Sequence, residues 1–232
     1  MADEAIVLVG GLGTRLRAVV SDVPKPLAPV AGRPFVAWML DQLAACGIRR
    51  TILAAGYMAE CVESMIGQHW NGMALDYSIE DQPLGTGGAV RKAAAMLQGD
   101  TGVHVVNGDT FLRYQPAALE QATRRAGASL GIALAHVTDV ARYGAVDVRD
   151  GEVIGFREKG SHGPGLINAG CYYLDDAALR ALPAKACFSL EADVLAPNAG
   201  RGIAVLAQTA DFIDIGVPDD YRRAQAQWGG RA

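Results

Sequence analysis

The sequence predicts a doubly wound α/β fold: a mainly parallel sheet with helices on both faces, extended by a small β-rich lid or acceptor region. Two observations predict it. Short apolar runs bounded by turn residues alternate with segments of helical periodicity through the first half of the chain. Two of those runs end in glycine-bearing turns that carry polar and charged residues, Gly10 to Arg15 and Asn107 to Asp109. In sheets of this kind ligands bind beyond the carboxyl ends of the strands, so the two turns point to one shared site.

Each element has its own signal. Ile6–Val9 is an apolar strand, and Phe35–Cys46 repeats apolar residues at helical spacing before stopping at Gly47. Trp38, Met39 and Leu43 share one face of that helix and belong to a core or an interface. Strand Arg50–Ala55, helix Ala59–Ile66, strand Leu75–Ile79, helix Gly88–Leu97 and strand His104–Val106 follow. The Rossmann-like alternation is looser in the second half. Ser129–His136 and Cys171–Leu174 read as strands, and Ala145–Val148 with Val153–Arg157 brackets an Asp150-Gly151 hairpin turn. Asp175–Ala181 is a short helix, Phe212–Ile215 a last strand fragment, and 219–228 a closing helix entered through Pro218.

Composition narrows the function. The 232 residues are 50% hydrophobic, enough for a sizeable core in one α/β domain. A formal charge of −4 argues against nucleic acid as a partner, which calls for a basic stripe. A polyanionic small ligand remains compatible, because a few focused cations set the local potential. Cys46, Cys61, Cys171 and Cys187 are scattered without Cys-x-x-Cys spacing, which fits free thiols in a reducing cytoplasm. The acidic start and short apolar run at the N-terminus fit neither a signal peptide nor a membrane span. Four histidines show no metal-like spacing; His104 is expected to be packed within its strand.

Chemistry concentrates in the first 26 residues. Gly10, Gly11 and Gly13 let backbone N–H groups approach a phosphate closely. Arg15, next to Thr14, and Lys25, between Pro24 and Pro26, add the charge a triphosphate needs, and the prolines restrict the loop. This is not a P-loop, since the lysine comes well after the turn. A second glycine cluster, Gly85, Gly87 and Gly88 around Thr86, precedes a helix and would admit a flat base and ribose. Asp109 and Asp214 each end an apolar strand. A lone aspartate there is most often a turn or cap residue, but two on neighbouring strands would suit magnesium, which takes one or two carboxylates plus phosphate oxygens.

Together, Gly10-Gly11-Leu-Gly-Thr-Arg15, Pro24-Lys25-Pro26, Pro83-Leu-Gly-Thr-Gly-Gly88 and Ile213-Asp-Ile-Gly216 resemble the sugar-1-phosphate nucleotidyltransferases, with Val9 where alanine is usual. The likeness runs from residue 6 to about 224. It implies that a nucleoside triphosphate and a sugar 1-phosphate give a nucleotide sugar and pyrophosphate. It implies nucleotide contacts from Leu8, Gly10, Gly11, Gly13, Thr14, Arg15, Lys25, Gln82, Gly85, Thr86, Gly87, Asn107 and Gly108, with Arg15, Lys25 and Asp109 catalytic. Asp109 and Asp214 would hold Mg2+ on the α-phosphate. Tyr143-Gly144, Glu158-Lys159 and Asn168-Ala169-Gly170 resemble the acceptor side, which implies Gly144, Glu158 and Asn168 at the sugar and Lys159 at its phosphate.

The same resemblance divides the single domain, 1–232, into a nucleotide-binding half to about residue 110 and a sugar-phosphate-binding half after it. Within the family, Ser21 to Phe35, Phe156 to Lys159, Gly165 to Gly170 and Phe212 to Tyr221 look most like heptose 1-phosphate guanylyltransferases. Those enzymes use GTP to make GDP-heptose for bacterial capsule, S-layer or lipopolysaccharide. The alternatives are another substrate pair, such as UTP with N-acetylmuramate or glucose 1-phosphate, and a nucleotide-sugar-binding regulator without turnover. A glycosyltransferase would more naturally carry Asp-x-Asp, of which Asn107-Gly-Asp109 is half. Small-molecule substrates are the expected partners, with a homodimer compatible and no nucleic acid or membrane.

Overall fold

The computed structural model describes residues 1–11, 16, 20 and 23–229. The first half contains β1 (Glu4–Leu8), a 3-10 turn (Lys25–Leu27), β2 (Pro29–Val30), β3 (Arg33–Pro34) and α1 (Phe35–Ala45). It continues with β4 (Arg50–Ala55), α2 (Ala59–Ile66), β5 (His69–Trp70), β6 (Met73–Ile79), α3 (Gly85–Ala94) and β7 (Val103–Asn107). After it come β8 (Thr110–Arg113), α4 (Pro116–Arg125), β9 (Leu130–Val137), β10 (Val146–Arg149), β11 (Glu152–Phe156) and β12 (Gly165–Leu174). The chain ends through α5 (Asp176–Arg180), a π-helical turn (Glu191–Leu195), α6 (Ala196–Asn198), β13 (Ile203–Leu206), β14 (Ala210–Asp214) and α7 (Pro218–Trp228).

Ten strands form one sheet in the order β10-β11-β13-β9-β12-β7-β1-β4-β6-β5. At its centre β7, β1, β4 and β6 run parallel, as the alternating pattern predicts, and β13 lies parallel to β9. β12 runs antiparallel between β7 and β9 and joins the two groups of strands. Along β1 the side chains alternate in destination: Ala5 and Val7 enter the apolar cluster under α1, α2 and α7, and Ile6 the cluster under α3 and α5. Both faces are covered, so the central strands can be apolar throughout.

Aromatic packing closes one layer. Trp228, at the end of α7, lies against Trp38 at 4.5 Å, meets Phe111 edge-on at 4.9 Å and stacks on Phe35 at 5.9 Å. Met39 and Leu43 are buried in the same layer, as their helical spacing predicts. His104 is fully buried, and desolvation lowers its pKa to about 4 despite nearby Glu120.

The opening strand is pinned by a buried carboxylate. Glu4 accepts hydrogen bonds from Arg50 Nη1 at 2.5 Å and from the backbone N–H groups of Gln98 at 3.0 Å and Gly99 at 2.7 Å. Replacing Glu4 by alanine leaves two backbone donors without their acceptor and removes one ion pair from the 13% exposed Arg50 side chain, which keeps Asp76 and the Met96 carbonyl. It should cost about 3 kcal/mol, read as a lowered urea midpoint; an unmoved midpoint would show that the network carries no stability.

Several segments depart from the sequence reading, which also left β2, β3, β5, β8, β13, the π-helical turn and α6 unassigned. α3 begins at Gly85, three residues before Gly88, so the glycine cluster is its first turn rather than a loop ahead of it. β12 begins at Gly165, which puts Asn168 inside a strand beside a register shift between Asn168 and Cys171. The Phe212–Ile215 fragment belongs to β14, which leaves the main sheet and pairs with β8. Finally, α4 buries little more than Leu119, Glu120 and Thr123 beyond its leading proline, so no apolar stripe announced it.

Candidate active site

Four loops meet at the carboxyl ends of the parallel strands. Gly10 and Gly11 follow β1, Gly56 and Tyr57 follow β4, Glu80 to Pro83 follow β6, and Gly108 and Asp109 follow β7. The first three loops, with Leu8, Gly85 and Thr86, line a cavity of about 490 Å³. A methyl on Gly10 would come within 3.1 Å of the Gly56 nitrogen, and one on Gly108 within 2.5 Å of the Leu8 carbonyl oxygen. The strand ends therefore leave no room for a side chain at Gly108 and only a tight fit at Gly10. Gly13, Thr14 and Arg15 lie outside the described residues.

Thr86 and the three glycines around it have a packing role as well. Gly85 has a φ of +70°, and a Cβ there would lie 2.5 Å from the Phe188 carbonyl oxygen. One on Gly87 would overlap the Phe188 ring at 2.2 Å. Thr86 Oγ1 accepts a hydrogen bond from the Leu190 N–H at 2.9 Å. Gly85 and Thr86 face the cavity together with Gln82, whereas Gly87 is buried against Phe188.

Lys25 is delivered by a rigid loop. Pro26 and Leu27 are buried, the Leu27 N–H donates to the Pro24 carbonyl at 2.8 Å, and the Pro29 carbonyl accepts from Tyr221 Oη at 2.5 Å and Gln225 Nε2 at 2.6 Å. The ammonium lies 2.6 Å from Asp109 Oδ2 and 3.8 Å from Asp214 Oδ1, with its side chain only 10% exposed. The two aspartates meet through β8: Asp109 is in the turn before it, and Asp214 pairs across from Thr110. They are neighbours, but in a small two-stranded sheet and not in the main one.

Asp214 is the more committed of the pair. Its Oδ1 accepts from the Gly216 N–H at 2.5 Å, and its Oδ2 lies 3.4 Å from Arg142 Nη2. Asp109 is 40% exposed on its side chain, against 15% for Asp214. Among the described residues no group of three or more His, Cys, Asp or Glu gathers as a metal cage. Two convergent hard-oxygen carboxylates, one of them open, fit a divalent ion that completes its shell with phosphate oxygens.

The acceptor segments lie beside this pair. Asn168 Nδ2 donates to Tyr172 Oη at 2.9 Å, and Asn168 Oδ1 accepts from the Gly170 N–H at 2.9 Å. Gly170 has a φ of +73° and abuts Asn107 so closely that a Cβ would lie 2.5 Å from its Nδ2. Gly144, at a φ of +81°, lies under the chain at Arg157 and Glu158, which brings the Tyr143-Gly144 and Glu158-Lys159 segments together. Three further residues escaped the sequence reading: Glu80 in the cavity wall, Arg142 on Asp214, and Glu191 against Tyr172. Arg142 directly adjoins Tyr143-Gly144, and Glu80 opens the Glu80-to-Gly88 stretch that carries the second glycine cluster, which was the available signal; Glu191 had none.

The sequence matches the Nucleotidyl transferase family over residues 4–229. It is 41% identical over 225 residues to the D-glycero-alpha-D-manno-heptose 1-phosphate guanylyltransferase of Aneurinibacillus thermoaerophilus, covering 97% of each chain. It is 37% identical to the enzyme of that name from Campylobacter jejuni, over 94% of this chain and 96% of that one. Among solved structures, HddC from Yersinia pseudotuberculosis complexed with GMP-PN superposes with a TM-score of 0.85 at 35% identity, covering 97% of this chain and 99% of that one. With a strand-end cleft of this design and relatives of this extent, the chain belongs to the nucleotidyl transferase family.

Proposed function

We propose that the protein transfers a guanylyl group from GTP to D-glycero-alpha-D-manno-heptose 1-phosphate, giving GDP-heptose and pyrophosphate. The observation that carries this reading is Lys25, held by Asp109 and Asp214 just beyond the carboxyl end of β7. The near end-to-end match to heptose 1-phosphate guanylyltransferases supports the choice of substrates.

The chemistry asks for little proton transfer. A phosphate oxygen of the sugar 1-phosphate is already an anion; it forms a bond to the α-phosphorus as the bond to the departing pyrophosphate breaks. Positioning and charge neutralisation then supply most of the acceleration. Lys25 would neutralise the α-phosphate and Arg15 the departing phosphates. Asn168 and Glu158 orient the sugar, Lys159 its phosphate and Gly144 its backbone contact. The glycine turns, Gln82, Thr86 and Asn107 hold the nucleotide. Asp109 and Asp214 would hold Mg2+, which would supply charge neutralisation at the α-phosphate.

Glu80 supports guanine as the base. Its Oε2 accepts from the Leu84 N–H at 3.1 Å, which holds the carboxylate in the cavity wall. A carboxylate only accepts hydrogen bonds, and guanine offers adjacent N1–H and N2–H donors on one edge. Adenine puts an acceptor there, and uracil flanks one N–H with two carbonyls.

A panel of triphosphates against sugar 1-phosphates, scored by released pyrophosphate, tests the reading. GTP with the heptose 1-phosphate should give the highest kcat/KM, and replacing Glu80 by glutamine should cut the preference for GTP about 10- to 100-fold. Equal use of all four bases by the unaltered protein would refute guanine selection.

A further inference from the structure

The segment before and at the π-helical turn spans both sides of the cleft. Toward the nucleotide, the Phe188 N–H donates to the Leu84 carbonyl at 3.0 Å, and the Phe188 carbonyl accepts from the Gly87 N–H at 2.9 Å. Toward the acceptor, Glu191 Oε1 accepts from Tyr172 Oη at 3.4 Å, and that oxygen accepts from Asn168 Nδ2. Tyr172 is buried, so its hydroxyl reaches the cleft only through these two partners. Glu191 itself is exposed.

We propose that Glu191 is an acceptor-binding residue: its Oε2 accepts a hydrogen bond from a ring or side-chain hydroxyl of the sugar 1-phosphate, and the Asn168–Tyr172–Glu191 chain fixes which hydroxyl is read. The inference rests on the nucleotidyl-transfer reading above. A carboxylate suits a sugar hydroxyl, which donates, and repels a phosphate, which does not. The surroundings agree. Desolvation raises the Glu191 carboxyl above its ordinary range, Tyr172 lowers it, Asp109 raises it and Lys159 lowers it. Through Tyr172 the carboxylate is tied to the Asn168 side chain of the acceptor segment. Asn168 Nδ2 only donates to Tyr172 Oη, so the buried hydroxyl proton goes to Glu191 Oε1, a bond that uses one of the two carboxylate oxygens.

Steady-state kinetics with GTP, the heptose 1-phosphate and its monodeoxy analogues test this. Glu191→Ala should raise KM for the acceptor about 10- to 100-fold while KM for GTP stays within about twofold. One deoxy analogue should lose affinity with the unaltered protein and lose almost nothing further with Glu191→Ala. Should the alanine variant fail to fold, Glu191→Gln, nearly the same shape without the charge, should raise the acceptor KM about tenfold. Tyr172→Phe, which keeps the carboxylate but frees it, should have a smaller effect on the same constant. An unchanged acceptor KM in both Glu191 variants, or deoxy penalties identical in the altered and unaltered proteins, overturns the proposal. If the unaltered protein releases no pyrophosphate from any GTP and sugar 1-phosphate pair, the transfer reading itself fails. Normal turnover with insensitive Glu191 variants removes this residue alone.

Discussion

Replacing Lys25 by alanine should lower turnover about 100- to 1,000-fold, the effect of removing one preorganised charge from the point where negative charge is handled. The expectation follows from how the side chain is held. Its ammonium is 2.6 Å from Asp109, its stem is largely buried, and the loop behind it is tied to α7 through Pro29. None of the anchors that fix the loop uses the Lys25 side chain, so the variant should fold. Two carboxylates lose their counter-charge, which should lower the melting temperature by no more than a few degrees and less with magnesium present. KM for GTP should change less than kcat, because most of the triphosphate's contacts remain. Pyrophosphate release and a thermal melt of the same preparation decide the matter. Turnover within about threefold of the unaltered protein would take Lys25 out of the reaction centre.

The sequence was most legible where period and punctuation agree. Arg50–Ala55 and Ala59–Ile66 were bounded to the residue, because an apolar run and an amphipathic stripe each end at a glycine. The Asp150-Gly151 hairpin was equally clear: both residues have positive φ, the conformation that pair favours. Legibility failed where long-range contacts decide. The start of α3 moved to Gly85 because Phe188, about a hundred residues later, packs onto the glycines, and no local signal records that partner. β13 and β8 are four-residue strands whose identity comes from the neighbours they pair with. Asp109 and Asp214 could be singled out from strand ends, but that β14 meets β8 outside the main sheet could not. Glu191 illustrates the limit most plainly, since Ser189-Leu-Glu191 looks like any helix entry until Tyr172 is brought beneath it.

The order of importance within the carboxylate pair is itself predictable. Asp109→Asn should raise the magnesium concentration for half-maximal activity at least about tenfold, and Asp214→Asn should raise it less. Both carboxylates face Lys25, but their remaining valences differ. Asp214 spends one oxygen on the Gly216 N–H and shares the other with Arg142, whose guanidinium also engages Asp220. Asp109 is the more exposed and has more of its charge left for an incoming ion. An asparagine at 109 still accepts a hydrogen bond from Lys25, so the loop geometry should survive while the charge is lost. Magnesium-dependent stabilisation gives a readout apart from turnover: in the presence of a non-hydrolysable GTP analogue, the rise in melting temperature with magnesium should shrink in Asp109→Asn. A metal titration that is unchanged in both activity and melting temperature would remove Asp109 from the ligand set and leave its aspartate as a partner of Lys25 alone.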